Sequence, residues 1–248
     1  MVTAAILIIL GICILAGYYR GVVYSALSIG LTLLSFFMAL LLIPVVATPV
    51  RQNEELYGSL LYYFEGYEYI NETSVEMVHT PASLLSEELL DEVIENADMP
   101  IPFDRAVKKN IRQQVYSSES IQQRTRSGST QQIKSISTLG DYFNQTIVDV
   151  VLNILSLLIL FVGVRILFGF ILRMIDYGRR GLPALKRLDP LYSCGIGFLH
   201  GVTLLYIIFM LVPVLLVIVP KLGIMITDTP IGGFLYRMNP FVYLVPTV

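Results

Sequence analysis

The chain has 248 residues, of which 55% are hydrophobic and 15% are charged, and its formal net charge at pH 7 is -2. A chain with so little positive charge has no basic stripe, which argues against nucleic acid as a partner. Its two cysteines, Cys13 and Cys194, both belong to the apolar parts of the sequence, so the polar region between them cannot contain a disulfide of its own.

Four apolar runs dominate the sequence. A helix rises about 1.5 Å per residue, and roughly 20 apolar residues cross the hydrocarbon core of a bilayer. Each run is long enough to do so. We therefore predict an all-α, polytopic membrane protein whose four transmembrane helices form two hairpins, with a helical extracytoplasmic insert between them. The runs extend from Val2 to Tyr19, Val22 to Ala47, Ile147 to Leu172 and Ile196 to Val219.

Small and hydroxylated residues recur along the second run at alternating steps of four and three. This spacing places them on one side of a helix. Lipid provides no hydrophobic drive for helix association, so small residues and hydroxyl hydrogen bonds hold membrane helices together. The pattern predicts packing against another helix, in this chain or in a second copy. The alternative is a hydrated path formed by several copies. We call this set the hydroxyl seam: Gly21, Ser25, Ser28, Thr32 and Ser35.

The stretch from Thr48 to Thr146 is acidic and polar, with fifteen Asp or Glu against eight Lys or Arg. Apolar residues at helical spacing between residues 85 and 94 predict an amphipathic helix, which Pro100 and Pro102 would end. A second helix is expected from Phe103 to about Tyr116. The pattern after Ile133 can continue into the third membrane helix, which would then project beyond the bilayer.

Arg165 lies inside the third run. An arginine at the centre of a membrane helix costs about 2.5 to 3.5 kcal/mol on insertion scales. Either its stem snorkels to the inner interface, or it points into the bundle. In the second case it would contact an anion or pair with Asp176 or Asp189. Asp149, near the outer end of the same run, is expected to be solvated.

Positive charge predicts the orientation. The two short linkers, residues 20–21 and 172–195, must lie on one side if all four helices span, and together they carry six cations. Only four cations lie near the helix ends on the other side. By the positive-inside rule the linkers face the cytoplasm, and both termini and residues 48–146 are extracytoplasmic. The six cations are Arg20, Arg173, Arg179, Arg180, Lys186 and Arg187.

These expectations divide the chain into four segments. Residues 1–47 form an N-terminal transmembrane hairpin, and residues 48–146 form the extracytoplasmic helical region. Residues 147–219 form a C-terminal hairpin with a basic cytoplasmic linker, and residues 220–248 form an extracytoplasmic tail. Pro213 is expected to interrupt the fourth run and Pro220 to end it.

Motifs for catalysis are missing from the sequence. It contains no H-E-x-x-H, G-x-S-x-G, Walker-type or CxxC pattern, and its two histidines, His79 and His200, fall in different regions. We expect a protein that is not an enzyme and that needs neither cofactor nor metal.

Two segments resemble the colicin V production protein (CvpA) family of bacterial inner-membrane proteins. Gly17 to Ser28, read as GYYRGVVYSALS, is similar to that family's R-G-x-x-x-x-x-L-S stretch between two N-terminal helices. Leu188 to Gly201, read as LDPLYSCGIGFLHG, is similar to its L-D-R-x-x-G-x-x-x-G-x-x-x-G linker, with Pro190 in place of the usual arginine. The tail from Phe234 to Pro240 is similar to a C-terminal pattern of some Gram-positive members.

The resemblance implies a four-helix protein of the bacterial cytoplasmic membrane associated with toxin or bacteriocin production or export and with envelope homeostasis. It implies no catalytic residues. A homo-oligomer or a complex with other envelope proteins is expected, and the alternative function is an oligomeric channel or transporter subunit with a path along the hydroxyl seam. The turn and linker residues that the resemblance singles out are Arg20, Gly21, Asp189, Gly195, Gly197 and Gly201.

Overall fold

The computed structural model describes residues 2–63, 79–80, 87–96, 99–109, 138–178 and 190–246. Within these ranges the regular structure is helical and contains no β-strand, which confirms the all-α prediction for the described part of the chain. Asp189 and the rest of residues 179–189 lie outside the described ranges, as do residues 110–137.

In the described part of the chain, four helices are long and apolar enough to cross a membrane, so the chain is a multi-pass membrane protein. Helix α1 is Val2–Arg20 and α2 is Val22–Gln52. Helix α5 is Leu139–Gly178, of which Leu139–Ile171 is apolar enough to span. The fourth span, Leu191–Ile218, is made of α6 (Pro190–Phe209) and α7 (Val212–Ile218).

Helix α5 begins eight residues before the predicted start of the third run, and its 40 residues are about 60 Å long. Its first turn explains the early start. The Asp141 backbone N–H donates to Thr138 Oγ1 at 3.2 Å, and the Thr138 N–H donates to an Asp141 carboxylate oxygen at 3.2 Å. This reciprocal pair satisfies two backbone donors at the helix N-terminus. The expected projection beyond a single bilayer crossing is thus present.

The fourth span is interrupted, as the position of Pro213 predicts. Residues Met210 and Leu211 separate α6 from α7, and Pro213 lies in the first turn of α7, where its missing N–H costs no helical hydrogen bond. Pro220 ends the span and begins the next helix. The remaining helices are α3 (Glu54–Tyr63), α4 (Glu87–Asn96), α8 (Pro220–Thr227) and α9 (Pro230–Arg237), with residues 103–109 also helical and a 3-10 turn at Val242–Leu244.

The chain forms two compact units. The first contains residues 1–48 and 154–244, and the second contains residues 49–153 and 245–248. In the first unit, α1 packs along α6. The unit has an apolar core whose members come from α1, the fourth span and α9: Ile6, Leu205, Phe209, Val212 and Leu235.

The C-terminal residues of the first unit are joined to the fourth span by polar and aromatic contacts. The Asn239 side-chain amide donates to the Tyr206 carbonyl at 2.7 Å, and Asn239 is fully buried. The ring of Phe241 lies 4.5 Å from that of Phe36 on α2. Asn239 thereby supplies a donor to the carbonyl groups just before the helix break.

Candidate functional site

Two glycines bring α1 and α6 into backbone contact. A Cβ atom added to Gly17 would lie 2.5 Å from the Ser193 carbonyl oxygen and 2.9 Å from Gly197 Cα. A Cβ added to Gly197 would lie 2.6 Å from the Cys13 carbonyl oxygen. Only glycine therefore fits at either position, and the helices approach closely in the manner typical of small residues at membrane interfaces.

The hydroxyl seam of α2 faces the interior of this single chain. Ser25 and Ser28 are 5% and 3% exposed, and Thr32 and Ser35 are fully buried. The Ser35 hydroxyl donates to the Leu31 carbonyl at 2.6 Å, and Thr32 donates to the Ser28 carbonyl at 2.8 Å. Gly21, the remaining member, lies between α1 and α2 with φ of 82°.

Thr32 joins α2 to α6 through a histidine. Its Oγ1 lies 3.1 Å from His200 Nε2. The Thr32 hydroxyl also donates to the Ser28 carbonyl, and the direction of its hydrogen bond with His200 is set by the tautomer of the histidine.

Arg165 joins α5 to the same part of the seam. Its Nη2 donates to Ser28 Oγ at 3.0 Å, and its side chain is half-buried. The structure thus directs Arg165 toward the seam. Of the predicted carboxylate partners, Asp176 lies eleven residues further along α5, about 16 Å away along the helix axis, and Asp189 is outside the described ranges.

A half-open recess lies where α1, α2 and α6 meet. Arg20, at the end of α1, borders it and also stacks over the Tyr24 ring at 5.4 Å from the ring centroid. The residues that line the recess include Cys13, Gly17, Arg20, Ser25, Ser28, Gly197 and His200.

Ser25 is distinct from the other hydroxyls of the seam. Its Oγ is buried and has no hydrogen-bond partner among the described residues, although the residue lines the recess. The hydroxyls of Thr32 and Ser35 instead donate hydrogen bonds to the backbone carbonyl four residues earlier. A buried hydroxyl without a partner costs about 1 to 3 kcal/mol, so Ser25 is a donor in need of an acceptor.

The linker residues singled out in the sequence have different environments. Gly197 is in backbone contact with α1, and a Cβ on Gly201 would approach the Cys13 and Leu10 side chains at 3.0 Å. Gly195 faces open space. In the sequence, Gly11 and Gly17 of the first run and the small-x3-small pair Gly197 and Gly201 of the fourth offer packing surfaces, and the structure brings Gly17 and Gly197 together. His200 was not among the predicted site residues.

The second unit contains a separate polar cluster. Arg51 Nε pairs with an Asp149 oxygen at 2.9 Å, and Arg51 Nη2 donates to Asn153 Oδ1, also at 2.9 Å. The Tyr57 hydroxyl donates to Asp149 at 3.3 Å, and Asn153 donates to the Pro246 carbonyl at 2.9 Å. Asp149 was expected to be solvated. Its side chain is instead 13% exposed and paired, because α2 extends to Gln52 and thereby presents Arg51.

The ionisation of this cluster follows from its burial. Desolvation, and then the negative charge of Asp149, raise the pKa of the Tyr57 hydroxyl well above its usual range. Tyr57 remains a neutral donor to Asp149 at physiological pH. The cluster is thus a paired and hydrogen-bonded clamp rather than a group of reactive side chains.

The two polar clusters differ in chemistry. The second-unit cluster pairs its cation with a carboxylate, whereas the recess combines hydroxyls and a histidine with guanidinium groups. Among the described ranges, no group of three or more His, Cys, Asp or Glu side chains is arranged to hold a metal ion. The recess offers hydrogen-bond donors and positive charge.

Comparison with protein-family models, with curated proteins and with solved structures finds no match to this chain.

Proposed function

We propose that this chain is a CvpA-like protein of the bacterial cytoplasmic membrane that acts in toxin or bacteriocin production or export and in envelope homeostasis, without catalysing a reaction. One observation carries the proposal. The two segments that resemble the family come together in space, since Gly17 of the first is in backbone contact with Gly197 of the second, 180 residues later.

The recess joins the same two segments. Arg20, Ser25 and Ser28 come from the first, and Gly197 and His200 come from the second. The two segments are short and far apart in the sequence, yet both contribute residues to one recess. This supports the view that the resemblance reflects a shared functional region rather than the general abundance of glycine in membrane helices.

In this proposal the hydroxyl seam is a packing surface. Ser28 and Thr32 connect α2 to Arg165 and His200 within one chain. The short linkers face the cytoplasm, and residues 48–146 lie outside, where they meet envelope partners or a second copy. A Ser/Thr-lined channel formed by several copies would require the seam to leave these contacts, so it is the weaker candidate.

Deletion of the gene in a bacterium that carries this chain tests the role. We expect the deletion to lower export of a peptide toxin and to increase sensitivity to detergent. Wild-type chain should restore both, and Gly17→Leu should restore neither, because its side chain would separate α1 from α6. Gly11→Leu is the matched control, since a Cβ at Gly11 meets no atom within 4 Å.

Membrane abundance of each variant is measured by immunoblot, so that loss of chain is distinguished from loss of action. A deletion strain that exports toxin and resists detergent as its parent does would contradict the proposed role.

A further inference from the structure

We infer that the recess between α1, α2 and α6 binds a phosphate oxyanion, either on the headgroup of an anionic phospholipid or as a free phosphate. The inference names a ligand for the recess that the proposed function treats as the functional region, and it rests on that proposed function. Its test is ligand binding to the purified protein. A failure of the cellular role and a failure of binding are therefore distinguishable.

The charged side chains that the structure describes at the recess are guanidinium groups. Arg20 borders it, and Arg165 reaches the seam through Ser28. Both ion pairs formed among the described residues, Arg51 with Asp149 and Lys108 with Asp104, belong to the second unit. Two guanidinium groups that reach the same part of the seam favour an anion between or beside them.

Carboxylates are scarce in the first unit. Its sequence contains three, Asp176, Asp189 and Asp228. Of the two that the structure describes, Asp176 is about 16 Å from Arg165 along α5, and Asp228 follows the far end of the fourth span. Asp189 lies outside the described ranges. A permanently charged arginine inside a membrane segment requires compensation, and a bound anion supplies it.

The hydrogen-bonding groups at the recess are donors. Ser25 Oγ is buried, lines the recess and lacks a partner among the described residues. Ser28 Oγ accepts from Arg165, which leaves its own proton available. A tetrahedral oxyanion has several acceptor oxygens and can satisfy both hydroxyls while it meets a guanidinium group.

The position of the recess suits a membrane phosphate. It lies at the end of the bundle where Arg20 and Gly21 join α1 to α2, which is the level at which a headgroup meets a transmembrane helix. Basic pockets between transmembrane helices are known to hold anionic headgroups. The recess is open on one side and lined by glycine on another, so a headgroup can approach the backbone closely.

The test uses the full chain purified in a zwitterionic detergent. Native mass spectrometry counts bound lipid, and the thermal unfolding midpoint is measured with phosphatidylglycerol, with phosphatidylcholine and with inorganic phosphate at matched ionic strength. We expect phosphatidylglycerol or phosphate, but not phosphatidylcholine, to raise the midpoint, because a ligand that binds only the folded state stabilises it. Stabilisation by the lipid alone assigns the headgroup, and stabilisation by phosphate alone assigns the free ion.

Three variants locate the site. Ser25→Ala should bind about tenfold more weakly, yet unfold without ligand at the same or a higher temperature, since it removes an unsatisfied hydroxyl. Arg165→Gln should also lose about tenfold in affinity. Arg173→Gln, an exposed arginine eight residues further along α5, is the matched control and should bind as wild type does.

The ligands and variants also give the results that would overturn the inference. The inference is wrong if neither ligand raises the wild-type midpoint, or if Ser25→Ala binds as tightly as wild type. It is equally wrong if Arg173→Gln loses as much affinity as Arg165→Gln, because binding would then reflect general surface charge. Ser25→Ala preserves the test even if Arg165→Gln does not fold.

Discussion

At Thr32 a single hydroxyl serves two hydrogen bonds in a fully buried position. It donates to the Ser28 carbonyl and makes a second hydrogen bond with His200 Nε2. Valine has nearly the same shape but can make neither bond, so its substitution isolates the polar contribution. Because the histidine ring nitrogen would lose its partner, the interaction matters for both α2 and α6.

We predict that Thr32→Val lowers the free energy of unfolding in detergent by about 1 kcal/mol, the scale of interhelical hydrogen bonds in membranes. Thr203→Val is the control, because among the described residues the Thr203 hydroxyl bonds to the Leu199 carbonyl of its own helix. Thermal unfolding followed by circular dichroism compares the two. Equal effects of both substitutions would mean that the contact with His200 contributes nothing.

Arg51 has the corresponding role in the second unit, where its guanidinium group meets Asp149 and Asn153 at once. We predict that Arg51→Met lowers the free energy of unfolding by about 1 to 3 kcal/mol, because it leaves a largely buried carboxylate without its cation. Arg237→Met is the control, since Arg237 is exposed. Chemical unfolding in detergent is the measurement, and an unchanged midpoint for Arg51→Met would contradict a stabilising clamp.

At the scale of elements, the water accessibility of the hydroxyl seam distinguishes a packing surface from a conducting path. We predict that Ser35→Cys, placed in a chain with Cys13→Ala and Cys194→Ala, does not react with a membrane-impermeant maleimide in vesicles, because residue 35 is fully buried. Tyr62→Cys, at a side chain 79% exposed and outside the spans, should react. Rapid labelling of Ser35→Cys would favour a hydrated path along α2.

The sequence predicted the elements better than their partners. Hydropathy identifies a span because each of its residues must be compatible with the lipid environment. Pro213 marks a break because its missing N–H removes a hydrogen bond within its own helix. The partner of a glycine depends on the register between two helices, which no local pattern encodes. Gly17 and Gly195 therefore look equally suitable for packing in the sequence, although one is in backbone contact and the other faces open space.

The early start of α5 agrees with the expectation that the pattern after Ile133 continues into the third membrane helix. Hydropathy falls before Ile147, but the helix begins at Leu139, and the reciprocal hydrogen bonds of Thr138 and Asp141 stabilise that end. Burial of Asp149 was missed because it depends on Arg51, 98 residues earlier. This error concerns a polar group whose environment is set by another segment of the chain.

At the scale of the whole molecule, the exposed apolar surface fits a lipid environment. Helix α1 packs against α6 on one side, and only 11% of its spanning window is buried in the chain. Its other sides expose Leu7, Ile8, Ile12 and Leu15 by more than half. In water such a surface would drive aggregation, whereas acyl chains solvate it without cost.

Orientation is the prediction that belongs to this scale. Insertion of a fluorescent protein between residues 179 and 189 should give a cytoplasmic signal, because the proposed topology has the basic linker in the cytoplasm. Alkaline phosphatase inserted between residues 117 and 132 should be active outside. The same reporters exchanged between the two positions are the control and should be silent, and the opposite pattern would reverse the assigned topology.

The single residue between α1 and α2 has a consequence for biochemical handling of the protein. Gly21 adopts a positive φ, and its N–H and carbonyl already bond to Gly17 and Ser25. This junction offers no free loop for a protease to cleave. Limited digestion of sealed vesicles from either face should therefore leave the first two spans as one fragment. That fragment would contain the residues that α1 and α2 contribute to the recess.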